Sequence, residues 1–206
     1  MIVTEGCTHG LNTAIAKSGA KTVQITIDDA PGKSNSHMIA LLAKYQIKTM
    51  FFVEGEFVKA RKDDVRALVR NGHKLGLHTW NHPHLTKLSD DQIKDQFIRT
   101  DRLVKELTNT SMAPNWRPPY GNSDARVERV VSSIGFTKKW LWDVDSLDWK
   151  HKGNSKAIID DVENGLAKCR KTRCIVLFHD HEATIRALEL LLPRLMAQGL
   201  TLADFP

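Results

Sequence analysis

The chain alternates between short apolar segments and longer segments with helical spacing along most of its 206 residues. Residues 23–27, 48–53, 73–77, 136–142 and 174–178 are predicted strands, because most of them are short and rich in β-branched or aromatic side chains. Residues 35–45, 63–71, 92–107, 124–134, 156–168 and 183–198 are predicted helices. Roughly six or seven strand–helix units in succession predict an α/β fold with a parallel sheet, either open or closed into a barrel.

Residues 116–121 interrupt this pattern with two adjacent prolines, Pro118 and Pro119. Proline is poorly tolerated inside a helix, so this segment is predicted to be a short strand that turns outward.

No change in composition and no linker divides the chain, so we predict an irregular lead-in over residues 1–20 and one domain over residues 21–206. Apolar residues make up 41% and charged residues 26% of the chain, which is typical of a soluble globular protein. No apolar run is long enough to span a membrane, and no signal peptide is recognisable. The net charge of +6 is not concentrated in one tract and no nucleic-acid module is recognisable, so we expect a solvated basic surface and no nucleic-acid partner.

The three cysteines, Cys7, Cys169 and Cys174, do not define a disulfide framework, because their number is odd. Cys169 and Cys174 are close enough in sequence to be bridged, and Cys7 is an alternative partner for either of them. Buried free thiols are an equally good interpretation.

Polar residues follow the predicted strands at several separate points of the chain. They are Asp28, Asp29, His78, Arg117, Asp145, Asp148 and His179. In open and in closed parallel sheets, ligands bind at the carboxyl ends of the strands. The sequence therefore predicts that these residues meet in one active site.

Asp28 and Asp29 are adjacent carboxylates where the first predicted strand stops. Neighbouring residues of a strand point to opposite sides, so the two are expected to have different roles. Adjacent acids also repel each other and lose hydration when they are buried, so a positive group is expected beside them. For an isolated pair, an Asx turn in a strand-to-helix loop would be the simpler interpretation.

His78 and His82 are two imidazoles four residues apart, and Pro83 predicts that they lie in a loop. Structural or surface histidines are the commoner explanation of such a pair. With one carboxylate, however, the pair forms a ligand set that leaves metal positions open for water and substrate. Zinc lowers the pKa of a coordinated water to about 7, which favours hydrolysis, whereas iron at the same set would favour an oxygenase.

Five short motifs lie at the predicted strand ends. They are Thr26-Ile27-Asp28-Asp29-Ala30, the segment from His78 to Pro83, Arg117-Pro118-Pro119-Tyr120, Asp145-Ser146-Leu147-Asp148-Trp149 and Leu177-Phe178-His179. From about residue 21 to its end, the chain resembles the NodB-type polysaccharide deacetylases of carbohydrate esterase family 4, which carry five such motifs in this order. Each motif alone is a weak signal, but five in order are specific.

The resemblance implies a distorted (β/α) barrel with about seven units, which binds one divalent metal ion, most often zinc. The implied metal ligands are Asp29, His78 and His82. Asp28 is implied to be the general base. Arg117 would orient it, because a guanidinium offers a rigid fork of donors to a carboxylate.

The resemblance also implies the remaining catalytic groups and the pocket. His179 would be the general acid that protonates the leaving amine, and Asp148 beside it would favour the imidazolium form. The backbone N–H of Tyr120 would help to hold the oxyanion. Trp149 and Leu177 would line the pocket for the acetyl methyl group.

Two residues depart from the first motif of that family, because Ala30 replaces a glycine and Ile27 replaces an aromatic residue. Ala30 requires a backbone that avoids the torsion angles open only to glycine. Neither change removes a catalytic atom, so we expect an active enzyme.

The expected reaction is removal of N-acetyl groups from N-acetylglucosamine units of a glycan such as peptidoglycan, chitin or chitooligosaccharides, with release of acetate. The alternatives are O-acetyl xylan or a small cyclic amide as the substrate of the same site, a non-catalytic glycan-binding module, and an iron oxygenase. A glycan substrate favours an exported enzyme in the periplasm, in the cell wall or outside the cell.

Overall fold

One parallel sheet surrounded by helices forms the body of the protein in the computed structural model, which describes residues 21–151 and 153–205. The strands are β1 (Thr22–Ala30), β2 (Met50–Val53), β3 (Lys74–Leu77), β4 (Asn115–Trp116), β5 (Lys138–Lys139), β6 (Val144–Asp145), β7 (Arg173–His179) and β8 (Thr201–Leu202). The helices are α1 (Asn35–Lys44), α2 (Gly55–Ala60), α3 (Lys62–Arg70), α4 (Asp90–Thr108), α5 (Ala125–Ser132), α6 (Asp148–His151), α7 (Ser155–Lys168) and α8 (Glu182–Ala197).

The strand order β5-β4-β3-β2-β1-β7-β6 places β1 at the centre of the sheet, and β8 pairs with the start of β1. All pairings among the described strands are parallel, so the carboxyl ends of the strands meet at one edge. The seven strands of this path form a half-barrel with β5 and β6 at its two ends. The expectation of a distorted (β/α) barrel with about seven units is confirmed.

The long helix α4 begins directly after Ser89, two residues before its predicted start at residue 92. The Ser89 hydroxyl accepts a hydrogen bond from the Gln92 N–H, and the Gln92 side chain accepts one from the Ser89 N–H. This reciprocal capping box satisfies two backbone donors at the start of the helix. The helix then buries Ile93, Phe97 and Val104, which lie on one face because of their helical spacing.

Two segments differ from the predicted pattern near the functional edge of the sheet. The strand β1 does not stop before the acidic pair but continues through Asp28 and Asp29 to Ala30. Residues 119–121 form a single 3₁₀ turn after Pro118, although a helix was excluded there. A proline at the first position of a helical turn is tolerated, because the N–H that it lacks would have no partner there.

Three further differences concern short elements. The helix α2 was not predicted, because its six residues are too few to show a clear period. The predicted strand at 136–142 is reduced to Lys138–Lys139, and the apolar tail forms β8. Edge pairings of this length depend on the neighbouring strand and leave little signal in the sequence.

Cys169 and Cys174 form a disulfide, so the bridge between these two is the alternative that the structure supports. Cys7 and the predicted lead-in over residues 1–20 lie outside the described residues. None of the helices in the described residues combines the length and apolar character that a membrane span needs.

Candidate active site

A cavity of about 420 Å³ opens at the carboxyl ends of the strands. It is lined by Asp28, Asp29, His78, His82, Tyr120, Gly121, Trp142, Asp145, Trp149, Leu177 and His179. The structure thus brings eight of the ten predicted site residues to one cavity. The other two, Arg117 and Asp148, are buried behind it, where each contacts one of the lining residues.

Asp28 lies against the guanidinium of Arg117, and both side chains are buried. Nη1 of Arg117 donates to Oδ1 of Asp28 at 2.6 Å and to Oγ1 of Thr26 at 2.9 Å. Burial raises the pKa of the Asp28 carboxyl, and the positive charge of Arg117 acts in the opposite direction. Arg117 is therefore the positive group that the acidic pair requires.

The Arg117 guanidinium is itself fixed on several sides. It lies 4.1 Å from the ring centre of Phe52, a cation–π contact on a buried face. Its Nε donates to the Trp140 carbonyl at 3.4 Å and its Nη2 to the Leu141 carbonyl at 3.3 Å. These contacts leave the guanidinium little freedom, so the position of Asp28 is fixed as well.

Asp29, His78 and His82 offer one carboxylate oxygen and two imidazole nitrogens that all lie within 4.8 Å of one another. Oδ1 of Asp29 is 3.7 Å from Nε2 of His78 and 3.8 Å from Nε2 of His82. This oxygen is buried and has no hydrogen-bond partner in the part of the chain that the structure describes. Because a buried carboxylate oxygen without a partner is costly, the three residues fit a divalent metal ion.

The two histidines are in the state that a metal ligand needs. Nδ1 of His78 donates to the Arg117 carbonyl at 2.9 Å, which leaves Nε2 as the free lone pair facing Asp29. Burial lowers the pKa of His78 to about 3, and it also lowers the pKa of His82. Both shifts favour the neutral imidazole that ligation requires.

Positive φ angles at non-glycine residues concentrate around the metal-ligand set, at Asp29 (55°), Thr79 (70°) and His82 (55°). The angle at Asp29 breaks the alternation of β1, so Asp28 and Asp29 line the same cavity. The prediction that these two point to opposite sides is wrong for this reason. Ala30 is outside the positive-φ region, so replacement of the glycine costs no strain there.

His179 lies beside Asp28, because the two residues are register partners on the adjacent strands β7 and β1. Oδ1 of Asp148 accepts from Nδ1 of His179 at 2.6 Å, and Oδ2 accepts from the Thr184 hydroxyl at 2.6 Å. Burial would lower the pKa of His179, but the hydrogen bond and charge of Asp148, with the charges of Asp29 and Asp28, raise it to about 9. His179 is therefore an imidazolium at neutral pH.

Aromatic side chains form the rim of the cavity. Tyr120 is 58% and Trp149 57% exposed, which is unusual for such large apolar groups and leaves both available to a ligand. The Tyr120 ring stacks on His84 with 4.1 Å between the ring centres, and its hydroxyl donates to the His82 carbonyl at 3.2 Å. Its backbone N–H takes part in no hydrogen bond within the described residues, so it is free to donate.

The family model for polysaccharide deacetylases matches residues 16–138 of the chain. The chain belongs to the polysaccharide deacetylase family.

Among curated relatives, this deacetylase-family chain is 32% identical over 184 residues to the peptidoglycan-N-acetylglucosamine deacetylase PgdA of Listeria monocytogenes. That match covers 87% of the chain but only 37% of the length of the relative.

Two solved structures have the same fold. A deacetylase solved with its substrate is 31% identical, with a TM-score of 0.81, over 91% of this chain and 89% of that one. A wild-type CE4 family pseudoenzyme from Bacillus anthracis is 27% identical, also with a TM-score of 0.81, over 90% of this chain and 64% of that one. Similarity of fold alone therefore does not decide between an enzyme and a pseudoenzyme, and the site residues must decide it.

Sequence reasoning missed several residues of the site. Trp142 lines the cavity and lies 5.5 Å from the Arg117 guanidinium, and Thr184 holds Asp148 from α8. Gly121 has a φ of 65°, and a Cβ there would lie 2.8 Å from the Trp142 ring. Asp145, which the sequence placed at a strand end, was not missed, because it lines the cavity and accepts from the Leu147 N–H at 2.9 Å in an Asx turn. A tryptophan near a strand end was the only available signal for Trp142.

Proposed function

We propose that the protein is a zinc-dependent N-deacetylase that removes the acetyl group from N-acetylglucosamine units of peptidoglycan, chitin or chitooligosaccharides. The observation that carries the proposal is the register pairing of Asp28 with His179. It sets a carboxylate and an imidazolium side by side at one cavity, next to three residues that fit a metal ion. A base, an acid and a Lewis-acid site are the parts that hydrolysis of an unactivated amide needs.

Asp29, His78 and His82 would hold the zinc ion, which when bound polarises the acyl carbonyl and lowers the pKa of water. Asp28 accepts the proton that water loses as it adds to the acetyl carbon. Arg117 keeps this carboxylate in place, since it contributes a hydrogen bond at 2.6 Å. His179 then gives its proton to the sugar nitrogen as the C–N bond breaks, and the products are acetate and a free amine.

The remaining groups bind and orient the acetamide. The free N–H of Tyr120 donates to the oxygen on which negative charge develops. Leu177 and Trp149 line the same cavity and exclude water from the acetyl methyl group. The exposed faces of Tyr120 and Trp149 offer stacking surfaces to a sugar ring.

An amide is favoured over an ester by the state of His179. A sugar nitrogen must be protonated before it can leave, whereas an alkoxide is a better leaving group. A histidine whose pKa is raised to about 9 remains protonated at neutral pH and supplies that proton. This favours N-acetyl over O-acetyl substrates for the site.

Two observations support an exported protein. Glycan polymers such as peptidoglycan lie outside the cytoplasm, and the relative PgdA acts on that class of substrate according to its name. The disulfide between Cys169 and Cys174 also fits an oxidising compartment, where such bonds form and persist.

The test is to load the protein with zinc and to measure acetate release from chitooligosaccharides, peptidoglycan and O-acetyl xylan in parallel. Release from the first two substrates with little from the third is expected. Release from xylan alone would show that the protein is an O-acetyl esterase and not an N-deacetylase. Binding of these glycans by the zinc-loaded protein without release of acetate would show that the protein is a non-catalytic binding module.

A further inference from the structure

The loop from Thr79 to His82 joins the two imidazoles of the metal-ligand set, and its backbone is strained. Thr79 and His82 both have positive φ angles, of 70° and 55°. For residues other than glycine, such angles are strained and persist only where surrounding contacts impose them. Contacts that impose this backbone also fix the distance between His78 and His82.

The N–H groups of Gly55 and Glu56 donate to the carbonyls of Thr79 and Trp80 in this loop. Among side chains, Gln96 of α4 forms more hydrogen bonds to the loop than any other in the described residues. Its Oε1 accepts from the Trp80 N–H at 2.8 Å and from the Asn81 N–H at 3.3 Å. Its Nε2 donates to Oδ1 of Asn81 at 2.9 Å. Gln96 is 8% exposed, so these three hydrogen bonds are largely shielded from water.

Gln96 is rigid enough to serve as a support. It lies in the middle of α4, and its backbone carbonyl accepts from the Thr100 hydroxyl at 2.7 Å. The loop is also held by the Trp80 ring, which lies 4.4 Å beneath the Arg99 guanidinium of the same helix. The helix thus contacts the loop at two points, one polar and one aromatic.

From this geometry we infer that Gln96 is a positioning residue of the metal centre. Its amide binds the two residues between Thr79 and His82, so it fixes where the His82 imidazole lies relative to His78. Gln96 does not line the cavity, and within the described residues its side chain forms hydrogen bonds to Trp80 and Asn81 and not to the three metal ligands, so it acts through the loop backbone. The inference rests on the proposed function, from which it takes the presence of a metal ion. It predicts the affinity for that ion and not the rate of deacetylation.

Two substitutions at Gln96 separate hydrogen bonding from volume. Gln96→Met keeps the length of the side chain and removes all three hydrogen bonds. Gln96→Glu keeps an acceptor for the N–H groups of Trp80 and Asn81. Gln92→Ala is the matched control, because it removes a hydrogen-bonding glutamine that caps the same helix without contacting the loop.

The readouts are the Kd for Zn²⁺, by competition with a chromophoric chelator in the absence of substrate, and hydrogen exchange at the Trp80 and Asn81 amides. Gln96→Met should weaken Zn²⁺ binding about 10- to 100-fold, as loss of supporting partners around metal ligands typically does. It should also accelerate exchange at both amides in the metal-free protein. Gln96→Glu should restore most of the affinity, and Gln92→Ala should leave it unchanged while lowering thermal stability.

Equal Zn²⁺ affinity in Gln96→Met and wild type would overturn the inference. A loss of affinity in Gln92→Ala as large as that in Gln96→Met would also overturn it, because general destabilisation would then be the cause. If the wild type binds Zn²⁺ and the variants behave as expected but no glycan is deacetylated, only the proposed function fails.

Discussion

Nη1 of Arg117 lies 2.6 Å from Oδ1 of Asp28, and neither side chain is more than 4% exposed. The pair joins the residue that follows β4 to β1. It lies next to the metal-ligand set, since Oδ2 of Asp28 is 3.6 Å from Nε2 of His78. The net contribution of such a buried ion pair to stability is smaller than the loss of stability when one partner is removed, because the remaining buried charge then has no partner. Folding and function therefore depend on the same contact.

Arg117→Met should lower the free energy of unfolding by about 3–5 kcal/mol, because it leaves the Asp28 carboxylate buried without a positive partner. Urea denaturation of both proteins measures the difference. Arg126→Met is the control, since the bond from Arg126 to Asp90 is on the surface and should be worth about 1 kcal/mol or less. Equal losses in the two variants would show that burial of the pair has no energetic consequence.

Asp28→Asn should reduce kcat for acetate release about 10²- to 10⁴-fold, the usual contribution of a general base. Zn²⁺ affinity should remain, because the amide is isosteric and Asp29 still provides the carboxylate ligand. Asp145→Asn is the matched control, as it changes another aspartate of the same cavity that caps a turn. Acetate release by Asp28→Asn at the wild-type rate would exclude Asp28 as the base.

The kcat/KM of the wild type should fall above about pH 9, because the pKa of His179 is raised to about 9 and the acid must be protonated. Asp148→Asn removes the charge that supports the imidazolium, so this alkaline limb should move to lower pH.

The raised pKa of His179 also makes the stability of the fold depend on pH. The folded pKa exceeds the unfolded value of about 6.5, so the contribution of His179 is complete below pH 6.5 and is lost as the pH rises through 9.

Profiles of kcat/KM against pH for the wild type and Asp148→Asn check this prediction. Thermal unfolding at both ends of the pH range checks its stability part. An alkaline limb that stays in place in Asp148→Asn would mean that another group supplies the proton.

Zinc at 100 times its Kd should raise the free energy of unfolding by about 2.7 kcal/mol, if it binds only the folded protein. A chelator should reverse the increase. His82→Ala should lose the zinc-dependent part, whereas His37→Ala, which changes an exposed histidine of α1, should keep it. Thermal denaturation with and without chelator measures the effect, and a response to zinc in His82→Ala equal to that of the wild type would speak against this ligand set.

Trp149→Ala should raise KM for chitooligosaccharides with a smaller change in kcat, because an exposed ring binds ground state and transition state alike. Its stability should change by no more than about 0.5 kcal/mol, as is usual on the surface. Leu190→Ala is the control, since Leu190 is 53% exposed on α8 and does not line the cavity. An unchanged KM would show that Trp149 is not part of the sugar-binding surface.

Much of this architecture could be predicted from local patterns. The capping box of Ser89 and Gln92 fixes the start of α4, and apolar segments locate β1, β2 and β7 to within a few residues. Motifs at the predicted strand ends contain nine of the residues that line the cavity. These predictions succeed because alternation, helical spacing and capping depend on neighbouring residues alone.

The sequence by itself determined the strand–helix order and the residue types at the strand ends. Only the tertiary structure decided how both Asp28 and Asp29 reach the cavity, because the positive φ at Asp29 occurs where the pairing of β1 with β2 shifts register between Ile27 and Ala30. Only the tertiary structure joined Gln96 to the loop between His78 and His82. Contacts between elements distant in sequence select such strained backbones and buried hydrogen bonds, and no local pattern encodes them.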